Sequence, residues 1–167
     1  LSLIQTLQAI QDSDAAQAFL GSRYLYPAVE SAHVLGLALS VGLLAIVDLR
    51  LIGALMRRQP VSDSLDAFRP WMIAGFALMF VTGAILFWPE AANLYVNSLF
   101  RLKMLFTVAA LANALSFEFG IGRRAHTWSD PLRPPAAARL AGFASLTSWS
   151  LVILFGRWIA YGFGAHP

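Results

Sequence analysis

Apolar residues run through this chain in four long blocks, each closed where charge returns. Between Glu30 and Asp48 lie seventeen residues without Asp, Glu, Lys or Arg; between Arg69 and Glu90 there are twenty. Lys103 to Glu118 leaves fourteen, and Arg139 to Arg157 leaves seventeen. A helix rises about 1.5 Å per residue and needs roughly 20 residues to cross the hydrocarbon core of a bilayer. The second block meets that length alone. The others reach it when flanking charges snorkel or sit at the interface, and the third leans on Arg101, Lys103 and Glu118 as its ends. Prolines punctuate the same pattern: Pro27 and Pro70 suit first-turn positions, Pro89 stops the second helix after Trp88, and Pro134-Pro135 precede the fourth. Helices are predicted over 27–57, 66–88, 98–119 and 137–162. The fold class that follows is all-α: a polytopic membrane protein with a four-transmembrane-helix bundle over residues 23–167.

Residues 1–22 read differently. Leu1, Leu3, Ile4, Leu7 and Ile10 recur at helical spacing, with Gln5, Gln8, Gln11 and Asp12 opposite. That spacing predicts an amphipathic helix lying on the outer interface. A signal peptide is the competing reading, but the stretch lacks a basic leading region and an unbroken apolar core. The sequence starts at Leu1, which leaves room for an initiator methionine or a longer leader ahead of it.

Composition sharpens the picture. The 167 residues are 58% hydrophobic and 13% charged, whereas soluble domains carry roughly 25% charged residues. Too little charge is left to coat a water-facing surface, which excludes a soluble enzyme, a disordered chain and a nucleic-acid-binding domain. The net charge of +3 therefore belongs to loops facing an anionic leaflet. Arg50, Arg57, Arg58, Arg69, Arg123, Arg124, Arg133 and Arg139 flank the first and third connections, against Arg23, Arg101, Lys103 and Arg157 on the other side. Eight against four places those connections in the cytoplasm and both termini outside. All four tyrosines, with Trp88 and Trp158, fall at the outer ends as an aromatic belt. There is no cysteine, hence no disulfide or thiolate site.

A faint internal repeat pairs Ala74-Gly75-Phe76-Ala77 with Ala141-Gly142-Phe143-Ala144, and Ala84-Ile85-Leu86-Phe87 with Val152-Ile153-Leu154-Phe155. Duplication of a helical hairpin and convergence of apolar sequence both account for it.

Ionisable residues inside a span are functional candidates by default. Glu30, His33, Leu37, Ser40, Leu44 and Asp48 share one stripe of the first helix, expected to face the bundle interior, while Ala32, Gly36 and Ser40 form a small-residue face for close helix approach. Glu30 and His33 lie at the depth of Lys103, Met104 and Arg157; Asp48 lies near Arg50, Asn113 and Glu118, which read as structural polar positions. The plain reading pairs Glu30 with Arg157 or Lys103, and Asp48 with Arg50 or Arg69. His126 and His166 read as solvated. The functional reading makes Glu30 and His33 a site for haem b, a quinone or a divalent metal. Bis-His haem ligation is disfavoured, since His33 alone lies within a span, unless His166 folds back. A His33/Met104 pair would then ligate iron, with Arg101, Lys103 and Arg157 receiving propionates.

Several strings are familiar. Leu25-Tyr26-Pro27-Ala28-Val29-Glu30-Ser31-Ala32-His33, Asp48-Leu49-Arg50-Leu51-Ile52-Gly53, Phe100-Arg101-Leu102-Lys103-Met104, Asn113-Ala114-Leu115 and Gly156-Arg157-Trp158-Ile159-Ala160-Tyr161 resemble a bacterial family of four-helix inner-membrane proteins of unknown function. The resemblance spans nearly the whole chain. It implies that Glu30, His33, Asp48, Arg50, Lys103, Asn113 and Arg157 are the family's recurring polar positions. Relatives often carry histidine where this chain has Glu118, a departure that weakens any third-helix histidine ligand.

No Walker loop, HExxH, nucleophile elbow or CxxCH is present, so no catalytic residue is assigned. Three readings stay open: a small membrane protein binding a redox cofactor or metal at His33, a non-catalytic subunit of a larger complex or homo-oligomer, and a transporter of a small ion or solute. Against the last, no helix is broken at mid-membrane by Gly or Pro.

Overall fold

The computed structural model describes residues 2–128, 130 and 132–164. Seven α-helices follow in order: α1 (Leu3–Gln11), α2 (Asp14–Leu20), α3 (Leu25–Leu51), α4 (Val61–Phe87), α5 (Ala91–Val96), α6 (Ser98–Phe119) and α7 (Ala136–Ala160). Short 3-10 turns cover Trp88–Glu90 and Gly122–Thr127. Four of these helical stretches are long and apolar enough to cross a membrane, with mean hydropathy from 1.4 to 2.1. Large apolar side chains on their outer faces are open to the surroundings, among them Leu35, Ile73, Val81, Leu105 and Leu140. Such faces are stable against lipid and not against water.

Two helix ends differ from the sequence expectation. The first long helix stops at Leu51 because Gly53 takes a left-handed φ of 80°, closing the last turn through Gly53 N–H to Arg50 O and Ala54 N–H to Leu49 O. The second begins at Val61, directly after Pro60, so Pro70 stands inside it instead of in its first turn. The polar run Ser62, Asp63 and Ser64 hid that start, yet Ser62 and Ser64 are buried beside Val61 and Leu65. Pro89 and Pro135 act as stop and N-cap as predicted.

α3 and α4 form one antiparallel hairpin, α6 and α7 the other, and α3 also packs on α7. Aromatic and ionic contacts bridge α4 to α6 at both ends, Phe87 with Phe100 and Arg69 with Glu118. One end of the bundle holds the starts of α3 and α6 and the close of α7; it is called the termini end here, and the opposite one the hairpin end. Val41, Met79, Ala110, Trp149 and Val152 fill the middle, with the Phe76 ring tilted against Trp149 at 5.2 Å between centroids.

The first twenty residues form two short helices instead of one, with Ser13 capping the second. α1 packs beside α5, where the Gln11 side chain accepts from Ala92 N–H and Asn93 N–H at 2.9 and 3.3 Å. Leu1, part of the expected amphipathic pattern, lies outside the described residues. At the same end Asn97 caps α6 by accepting from Leu99 and Phe100 N–H, and its amide donates to Phe163 O, pinning the chain after α7.

Candidate functional site

The two helices of the first hairpin meet backbone to backbone. A Cβ placed on Gly75 would lie 2.7 Å from Ser40 N, and one on Gly36 would lie 2.9 Å from Met79 N. Ser40 fits this contact because its hydroxyl folds back onto Gly36 O at 2.7 Å. Small residues thus set the distance between α3 and α4, and that distance delivers His33 to α4.

His33 sits on Gly83, where a Cβ would come within 3.1 Å of its Cε1. Its Nδ1 is 3.0 Å from Thr82 Oγ1, and the Thr82 hydroxyl is 2.6 Å from Leu78 O. A hydroxyl has one proton, and this one goes to the Leu78 carbonyl, so the imidazole Nδ1 carries the shared hydrogen and donates to Thr82. Nε2 makes no side-chain hydrogen bond among the described residues. Lys103, on α6, lies toward the same end of the bundle. Its ammonium lies over Gly156 of α7, where a Cβ would stand 3.7 Å from Cε and Nζ. Every long helix contributes: His33 from α3, Thr82 and Gly83 from α4, Lys103 from α6, Gly156 from α7. Among the described residues no carboxylate pairs with Lys103.

The other sequence candidates at this end lie elsewhere. Glu30 is exposed at the start of α3 and makes no ion pair among the described residues, and Met104 is 43% exposed on the outer face of α6. The expected Glu30–Arg157 pair is absent because Arg157 turns to Tyr161 one turn on, donating to its hydroxyl at 2.8 Å and lying 4.9 Å over its ring. Among the described residues no group of three His, Cys, Asp or Glu is placed to hold a metal. His166 lies outside the described residues.

At the hairpin end the polar residues engage one another. Arg50 is fully buried, donating from Nε to Gln59 O at 2.7 Å and from Nη2 to Leu132 O at 3.2 Å, so one guanidinium ties both hairpin connections together. Arg69 lies 3.0 Å from Glu118 and 3.4 Å from Asp66, and His126 Nε2 lies 3.2 Å from Asp66. These residues line a cavity of about 240 Å³. Asn113 donates to Ala141 O at 3.0 Å. The expected Asp48–Arg50 or Asp48–Arg69 pair does not form. Residues two apart on a helix point to nearly opposite sides, and Arg69 is already held by two carboxylates. Asp48 is 4% exposed and faces Ser145 of α7.

Sequence reasoning missed Thr82 and the Asp66–His126 contact. The i,i+3 spacing of Asp66 and Arg69 was a visible signal; the reach of His126 to Asp66 across a connection was not. The two glycines of the apparent repeat serve different partners: Gly75 packs on Ser40 of its own hairpin, whereas Gly142 packs on Asp48 O and Leu51 of the other. Comparison with curated proteins and with solved structures finds no match. One family model matches residues 17–162, from within α2 to just past α7, and the chain accordingly belongs to the family of unknown function DUF6644.

Proposed function

We propose that this is a small integral protein of the bacterial inner membrane, both termini outside, that binds the head group of a membrane-dissolved quinone between His33 and Lys103. The observation that carries the reading is an imidazole fixed at Nδ1, with no partner for Nε2 among the described residues, at the same end of the bundle as a lysine that has no counter-ion among them. A quinone carbonyl accepts a hydrogen bond, which an ammonium supplies; a quinol hydroxyl donates one, which an imidazole lone pair takes. Unpaired polar groups at membrane depth are expensive to keep, and a ligand that satisfies both accounts for their presence. The positive-inside distribution supports the orientation, and the apolar outer faces support residence in lipid.

The test is solvent extraction of detergent-purified protein with chromatography of the extract, beside oxidised and dithionite-reduced visible spectra. The expected result is a co-purifying quinone in near one-to-one amount, lost in His33→Gln and in Lys103→Met. A Soret band that disappears in His33→Ala would overturn the quinone in favour of haem. Protein free of both would overturn ligand binding here and leave an accessory-subunit role.

A further inference from the structure

Where α3 packs on α7 lies a second polar site within the membrane-spanning region. Val34, Leu37, Ala38, Val41, Trp149 and Asp48 line a groove of about 360 Å³ between the two helices. Its walls are apolar for most of their length. Toward the hairpin end the groove reaches two buried side chains, Asp48 at 4% exposed and Trp149 at 2%. Trp149 Nε1 is buried with no hydrogen-bond partner among the described residues, and Ser145 Oγ stands beside the Asp48 carboxyl group. No basic side chain among them pairs with Asp48 either. Arg50 is turned to the Gln59 and Leu132 carbonyls, Arg69 is held by Asp66 and Glu118, and Lys103 lies on Gly156.

We propose that the α3–α7 groove binds a lipophilic cation of the alkylammonium class, with Asp48 as counter-ion and Trp149 as the aromatic wall. Asp48 offers a bound cation a buried counter-charge, and the cation supplies the partner that no basic side chain among the described residues gives it. An indole attracts a cation over its face, and Trp149 is the aromatic residue lining the groove. The apolar walls take the alkyl chain. Val34 and Ile153, both lining residues, are 56% and 42% exposed, so a ligand enters sideways from the lipid. The site is separate from the His33–Lys103 pair and does not depend on it.

The probe is dodecyltrimethylammonium, titrated calorimetrically into protein in phosphatidylcholine nanodiscs with empty nanodiscs as reference and dodecanol as the neutral comparison. Saturable binding of the cation is expected, weakened roughly tenfold or more by Asp48→Asn and by Trp149→Leu, retained in Trp149→Phe, and unchanged in His33→Gln. Equal binding of dodecanol, or full binding to Asp48→Asn, would overturn the proposal and make the groove a seat for lipid chains. A second measurement needs no variant: dicyclohexylcarbodiimide should label Asp48 in the wild-type protein, located by peptide mass spectrometry. Dodecyltrimethylammonium should protect Asp48 and dodecanol should not; labelling indifferent to the cation would sink the idea independently of any folding defect.

Discussion

Arg69, at the hairpin end, lies 3.0 Å from Glu118 and 3.4 Å from Asp66, whereas Lys103, near the termini end, meets no carboxylate among the described residues. Arg50 and His33 make the same contrast. The guanidinium of Arg50 is met by two backbone carbonyls, while the imidazole of His33 is fixed at Nδ1 and open at Nε2. The two ends carry similar residue types and use them differently. Paired charges hold connections and helix ends; unpaired groups held in place by their neighbours are where a ligand is expected. Asp48 belongs with the second kind although it sits nearer the hairpin end.

The contrast can be broken most severely at the contact that builds both sites. Gly75→Val places a branched side chain against the Ser40 backbone, which cannot yield without separating α3 from α4. A loss of about 3 kcal/mol is expected, read as a lowered midpoint of thermal unfolding followed by circular dichroism in detergent. Arg50→Ala should follow at about 2 kcal/mol, because two carbonyls lose a charged donor. Bound quinone should survive this change, and its loss would show that the two ends are not independent.

Lys103→Met sharpens the comparison by its sign. Removing a half-buried ammonium without a partner should leave stability unchanged or raise it by up to about 1 kcal/mol, while bound quinone disappears. A marked loss of stability with the quinone retained would make Lys103 a packing residue. The smallest effect belongs to Glu118→Gln. Its pair with Arg69 has side chains 42% and 36% exposed, so at most about 0.5 kcal/mol is expected, shrinking further in high salt.

Much of the fold was legible in the residue pattern. The four long helices were each anticipated, together with the prolines that end α4 and cap α7. Their ends were read less well: Gly53 stops α3 six residues before the predicted limit at 57, a left-handed turn that apolar spacing does not register. Val61 opens α4 within a run that looked like a polar connection. The small-residue face of α3 was visible as Gly36 and Ser40, but its partner on α4, Gly75, was noticed only as part of a repeat.

What the sequence by itself determined is which residues lie at membrane depth. Lipid offers the backbone no hydrogen-bond partners, so a long charge-poor segment has to be a helix, and the position of each polar side chain along it follows from counting. Counting does not determine rotation or partner. His33 and Asp48 lie on one stripe of α3, yet one reaches Thr82 of α4 and the other faces Ser145 of α7. The backbone contact at Gly36, Ser40 and Gly75 sets how α3 lies against α4, and close packing then leaves each side chain only the neighbours that this orientation allows. The choice between a paired charge and an open one was made by tertiary packing, because pairing depends on a few ångströms across helices and not on spacing within one.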